Sequence, residues 1–157
     1  MKPATLEEYL HTHIPLTQSM GIKVAAVEPN PVAPNSVTLC APLTPNINHQ
    51  QTAFGGSLAS LATLSAWCTV LVALKSRGLA ADIVVRKSQV DYLEAVREDF
   101  CARAVAPPNA WQSMEKILAD RGKARITLQS EILEAGRSAL RFTGEFVVLL
   151  RNHPATN

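Results

Sequence analysis

No two cysteines in this sequence stand near enough for a CxxC pair. Cys40, Cys68 and Cys101 are odd in number and widely spaced. That excludes a disulfide framework and predicts reduced thiols, as in a cytoplasm. A basic segment followed by an apolar run is also missing at the N-terminus, so no signal peptide is expected. Charge of one sign is lacking: the net charge is +2, too small to argue for nucleic acid. His11 and His13 are two apart, so a helix points them in different directions, and no metal site is expected. The most informative absence lies between Gln50 and Leu74, where there is no charged residue. A stretch of that length could span a bilayer. Against that, it carries Ser57, Ser60, Thr63, Ser65 and Thr69, begins near Gly55-Gly56, and is flanked by amphipathic strand patterns. It reads as a buried core helix, with no membrane insertion.

What is present fills in around that helix. Thr5 with Glu8 predicts a capping box for a short helix to His13, stopped by Pro15. Gly21 to Glu28, with Ile22, Val24 and Ala26 alternating, and Ser36 to Ala41 predict two strands. A link rich in Pro and Asn, 29–35, joins them, and Pro42, Pro45, Asn46 and Asn48 mark a loop. The apolar helix runs from about Gly56 to Lys75 and ends near Gly78. Asp82 to Leu93 and Asp99 to Ala106 predict strands, and Pro107-Pro108-Asn109 breaks the second. Trp111, Met114, Ile117 and Leu118 then share a helix face, with Gly122 as its stop. The last two strands alternate most cleanly. Ala124 to Ile132 and Leu140 to Val148 each show one apolar face, and Ala135-Gly136-Arg137 turns between them. The 157 residues suit one domain with a frayed tail after about Arg151. One apolar helix among antiparallel strands implies an α+β fold, the sheet wrapped around the helix.

Chemistry concentrates in Asn48-His49-Gln50-Gln51-Thr52-Ala53-Phe54-Gly55-Gly56-Ser57-Leu58. Two glycines open the helix, where the first N–H groups have no helical partner and the dipole is positive. Such N–H groups can stabilise an oxyanion, while the glycines let a ligand approach the backbone. The same pair could equally serve only a sharp loop-to-helix turn. Helical spacing puts Gly56, Ser60, Thr63 and Trp67 on one stripe. Ser60 and Thr63 could face a ligand from it or simply bond to the preceding turn. Cys68, deep in the apolar helix, reads as a core thiol. Arg86-Lys87 and Arg121 to Arg125 are basic clusters that could hold a phosphate or be solvated strand faces.

This segment resembles the hotdog thioesterases, whose pattern is Asn, Gly-Thr a few residues on, an aromatic or His, then Gly-Gly at the start of the central helix. It is most similar to the family that also occurs fused behind an acetyltransferase domain. The strand carrying Asp91-Tyr92-Leu93 and the final two strands match as well, so the resemblance spans about Thr5 to Leu150. It implies a hotdog fold and an acyl thioesterase acting on acyl-CoA or an acyl carrier protein. Coenzyme A or phosphopantetheine would enter as part of the substrate, with no separate cofactor. It also implies a homodimer or dimer of dimers with sites between protomers.

Residue by residue, the resemblance implies that Asn48 orients the water or pantetheine arm and that Gly55 and Gly56 face the thioester oxygen. Thr63 stands where many relatives carry Asp, Glu or Ser. Phe54, Ser57, Ser60, Trp67 and Tyr92 would shape the substrate pocket, and Arg86 and Lys87 would meet the phosphates. Three departures stand out. Thr63 is no carboxylate and cannot be an ordinary base. Gln51 stands where Gly is frequent, and Phe54 where His is frequent. The water would need His49, or Asp91, Glu94 or Asp99. Two other readings follow from the same residues. One is a non-hydrolytic module that binds acyl thioesters for fatty-acid metabolism. The other, a dehydratase, needs an acidic helical partner that Gln50 to Leu74 lacks.

Overall fold

The computed structural model describes residues 1–28 and 36–151. The Pro/Asn-rich link 29–35 and the tail beyond Arg151 lie outside the described residues. Along the chain run α1 (Pro3–His13), α2 (Pro15–Ser19), β1 (Lys23–Glu28), β2 (Ser36–Ala41), a 3-10 turn (Thr44–Asn46), α3 (Gly55–Ser76), β3 (Ala81–Tyr92), β4 (Phe100–Val105), α4 (Pro108–Arg121), β5 (Lys123–Glu134) and β6 (Arg137–Leu150). The six strands form one antiparallel sheet in the order β1-β2-β4-β5-β6-β3.

The sheet packs on α3 as the charge-free stretch predicts. Leu58, Leu61, Ala62, Ala66 and 70–74 are buried, and they meet the inward residues Ala124, Ile126, Leu128 and Ile132 of β5 and Leu140, Phe142, Phe146 and Val148 of β6. Each buried Leu or Val stabilises the fold by about 2 kcal/mol relative to exposure, which is why one such helix organises the domain. α3 is long and apolar enough to cross a membrane, yet it is the core helix here. Its two buried hydroxyls are spent internally. Ser65 Oγ lies 2.8 Å from the Val37 carbonyl and 3.1 Å from that of Ala102, tying the helix to β2 and β4, and Thr69 donates to Ser65.

Several sequence expectations need correction. The capping box does not form: Pro3, with φ fixed for a helix, starts α1 at an uncapped Lys2, so Thr5 already lies inside the first turn. Pro15 ends α1 but also opens α2. β1 begins at Lys23 rather than Gly21, which turns at φ +68°, and a bulge between Val24 and Ala26 breaks the alternation. Asp99 stays outside β4 and accepts the Leu43 N–H at 2.8 Å. Pro107-Pro108 both ends the strand region and starts α4, since Pro suits the first helical position. Trp111, Met114 and Leu118 of α4 are buried, whereas Ile117 is exposed. Gly122 closes α4 at φ +65°, and Ala135-Gly136 turn the hairpin at φ +47° and +78°.

The thiols differ from expectation most. Cys40 and Cys101 face each other across β2 and β4 and form a disulfide, with Cα atoms 4.0 Å apart. Strand pairing brings together residues that linear spacing keeps apart. Cys68 is free and fully buried, and burial pushes its thiol far above the ordinary value.

Candidate active site

The loop before α3 is built by Asn48. Its Oδ1 accepts the N–H groups of Gln50 (2.8 Å) and Thr52 (3.2 Å), and its Nδ2 donates to Thr52 Oγ1 (2.9 Å) and the Ala53 carbonyl (3.4 Å). These four bonds use the amide's ordinary capacity, so Asn48 shapes the loop from within. Asn46 supports it from below. Its buried Nδ2 bonds the Met20 and Pro42 carbonyls, and its own carbonyl accepts the Phe54 N–H at 2.7 Å. Ala53 N–H reaches Val96 O at 2.8 Å. In the sequence Asn46 marks only a loop. Its one available signal was a second Asn two residues before Asn48.

Gln51 sits at the corner of this loop with φ +61°. The left-handed region costs a side chain about 1–2 kcal/mol, and glycine avoids most of it. This is the position where the related motif has Gly. Gln51→Gly is therefore expected to raise the unfolding free energy by about 0.5–1 kcal/mol, the relief being partly offset by a freer unfolded chain. Chemical denaturation of the two proteins checks the sign.

α3 then begins with no side-chain cap. The first N–H bonded within the helix is that of Leu58, to Phe54 O at 3.1 Å. The N–H groups of Gly55, Gly56 and Ser57 precede that ladder and point out of the helix end. One aromatic ring flanks each glycine. Phe54 folds over Gly56 so closely that a Cβ there would lie 2.9 Å from its Cζ and nearer still to Cε1. Tyr92 lies on Gly55, where a Cβ would stand 3.3 Å from Cε1, and its hydroxyl donates to the Gly55 carbonyl at 3.0 Å. Both rings are more than half exposed, Phe54 at 55% and Tyr92 at 56%.

The stripe Gly56, Ser60, Thr63, Trp67 is half-buried along α3, with Ser57 beside it. Thr63 Oγ1 donates to Ala59 O at 2.8 Å, the turn before it. Trp67 Nε1 donates to Ile83 O at 3.1 Å and its ring stacks toward Tyr9. His11 Nε2 lies 2.9 Å from Ile22 O, and His13 stacks on Tyr9.

The titratable candidates separate. His49 stands exposed in the Asn48 loop. Glu94 is gripped by Arg137 through two bonds, at 2.8 and 2.9 Å, which hold its carboxyl below the usual value. A carboxylate so held is a poorer proton acceptor. Asp99 is engaged by Leu43. Asp91 pairs in register with Arg141 on the outer sheet face, away from α3. That face carries a groove of about 680 Å³ crossed by Arg103, Glu131, Arg141 and Asp91. Arg86 occupies the bulge of β3 and bonds Glu145 at 2.7 Å; Lys87 pairs with Glu145 in register, and Arg125 approaches the same carboxylate at 4.0 Å. Arg125 of the second basic cluster thus meets the first cluster across the interior strand β6.

A six-stranded antiparallel sheet wrapped on one long helix, with a glycine pair opening that helix, is the hotdog fold. Residues 3–150 match the family described as "Putative thioesterase (yiiD_Cterm)", and the chain belongs to that family. Among solved structures it is similar to a protein of unknown function from Chlorobaculum tepidum, with 27% identity and a TM-score of 0.85 over 96% of this chain and 98% of that one. It is also similar to a protein from Shewanella oneidensis described as a putative thioesterase, with 25% identity and a TM-score of 0.78, covering 94% and 96%. A thioesterase from Haemophilus influenzae shares the fold at 14% identity and a TM-score of 0.73, covering 99% and 96%.

Proposed function

We propose that this protein is an acyl thioesterase that hydrolyses the thioester of an acyl-CoA or an acyl carrier protein. The observation that carries the reading is the uncapped α3 N-terminus, where Gly55, Gly56 and Ser57 offer N–H groups between two exposed rings. A thioester carbonyl entering between Phe54 and Tyr92 would place its oxygen on these donors. Water adds to the carbonyl carbon, and negative charge gathers on that oxygen as the tetrahedral intermediate forms. Fixed N–H dipoles favour that charge more than the neutral ground state. The C–S bond then breaks, and the thiolate leaves and takes a proton. His49, free of the engagements that hold Glu94 and Asp99, is the group we assign to remove the water's proton. Asn48 acts by holding the loop that presents both His49 and the glycines. Arg86, Lys87 and Arg125 suit the phosphates of the carrier arm.

A second copy of the chain would complete the site. β3 has β6 on one side only among the described strands, and it presents twelve residues of free edge with Val84 52% exposed. An uncovered edge of that length is a template for another strand. Pairing of β3 with its counterpart would bury it and set the two glycine pairs on either side of a two-fold axis.

A non-hydrolytic acyl-binding role is the competing reading, favoured by Thr63, whose hydroxyl is turned back to Ala59. The test is release of free thiol from acyl-CoAs of increasing chain length, beside Asn48→Ala and Thr63→Ala. Turnover should fall about 100-fold in Asn48→Ala, because a displaced loop misplaces donors and base together. It should fall less than about 3-fold in Thr63→Ala, which loses only a bond to its own helix. Tight binding of every acyl-CoA with no thiol release would sink hydrolysis and leave the binding module.

A further inference from the structure

Tyr92 ends β3 with its hydroxyl on the Gly55 carbonyl, 3.0 Å away. That carbonyl and the Gly56 N–H belong to one planar trans peptide unit and point in opposite directions. Whatever fixes the carbonyl therefore fixes the direction of the N–H. The unit joins two glycines, whose backbone freedom exceeds that of any other residue pair. It lies in the first turn of a helix with no side-chain cap, where fraying is easiest.

We propose that Tyr92 is a positioning residue whose hydroxyl holds the Gly55–Gly56 peptide so that the Gly56 N–H is directed at the reacting carbonyl. The catalytic half of this inference rests on the thioesterase reading; the peptide geometry does not. Two effects combine. The bond restrains rotation of the peptide plane, and a hydrogen bond accepted by an amide oxygen polarises the amide and strengthens its N–H as a donor. The Tyr92 ring touches Gly55 independently of the hydroxyl, so the two roles can be separated. Tyr92→Phe keeps the ring, its contact and the strand end, and removes only the hydroxyl.

The chain has seven glycines, so selective ¹⁵N-glycine labelling yields a spectrum sparse enough to follow each amide. The Gly56 resonance is identified by its loss in Gly56→Ala. In Tyr92→Phe the Gly56 amide proton should shift, while Gly78, at the far end of α3, and Gly122, beside the opposite end of β3, stay in place. Thiol release should show kcat reduced about 3–10-fold, the effect of one hydrogen bond, with KM changed less than about 2-fold. A merely structural loss would not produce that split. An unmoved Gly56 amide overturns the inference whether or not thioester is hydrolysed. A moved amide with unchanged kcat overturns it as well. A moved amide in a protein whose wild type releases no thiol upholds the Tyr92 contact and sinks the thioesterase reading instead.

Discussion

Reduction of the Cys40–Cys101 bridge is expected to lower the unfolding free energy by about 4 kcal/mol and the melting temperature by roughly 10 °C. The bridge closes a loop of 61 residues in sequence. Opening it returns that loop-closure entropy to the unfolded chain and leaves the folded chain almost untouched. β2 and β4 remain paired from Val37–Ala104 to Ala41–Phe100, and Ser65 still reaches both strands. The check is urea unfolding of the wild type with and without a dithiol, beside Cys40→Ser/Cys101→Ser. The double variant should match the reduced wild type and be indifferent to the dithiol. Alkylation of the native protein should label no cysteine before reduction and two after it. Cys68, buried and held as a neutral thiol, should react only on unfolding. Equal stability with and without the dithiol would show that the bridge does not restrain the unfolded chain as this account requires.

The same bridge marks where the sequence stops being readable. α3 was legible because a helix with no charge can exist in water only if nothing leaves it wet. β5 and β6 were legible because they are joined by a short turn and each shows its dry face in its own alternation. Cys40 and Cys101 meet only because β2 and β4 are neighbours in the sheet, and no local pattern reports which strands are neighbours. Asn48 shows the limit on a smaller scale. Its residue type and its place before Gly55-Gly56 pointed to the candidate site. Its bonding depends on a corner at Gln51 in a backbone region that Gln seldom adopts, so periodicity could not anticipate it. Arg86-Lys87 and Arg121 to Arg125 read as two clusters, and Arg125 joins Arg86 and Lys87 at Glu145 only once β3, β5 and β6 lie side by side. The Thr5–Glu8 box failed for a different reason: two local signals competed, and Pro3 at the first helical position outweighed a Thr two residues on.

Gly56→Ala is expected to lower kcat/KM by about 100-fold while changing stability by less than about 1 kcal/mol. The two effects have different origins. For the helix alone, alanine is the better residue, worth about 0.5–1 kcal/mol over glycine. The added Cβ would overlap the Phe54 ring, which must turn away. That ring is more than half exposed, so turning it sacrifices little burial and the terms nearly cancel. Activity has no such compensation. The methyl stands beside the N–H donors where the thioester carbonyl must come, and the displaced ring no longer forms its side of the slot between Phe54 and Tyr92. Thermal melts and thiol release on the same preparations make the comparison. Phe54→Ala/Gly56→Ala distinguishes the ring from the methyl: recovery of activity would mean that the displaced ring blocks the site. Continued loss would mean that close approach to the Gly56 backbone is what the reaction requires, and this second outcome is the one the uncapped helix end leads us to expect. Unchanged kcat/KM in Gly56→Ala would remove the α3 N-terminus from the reaction altogether.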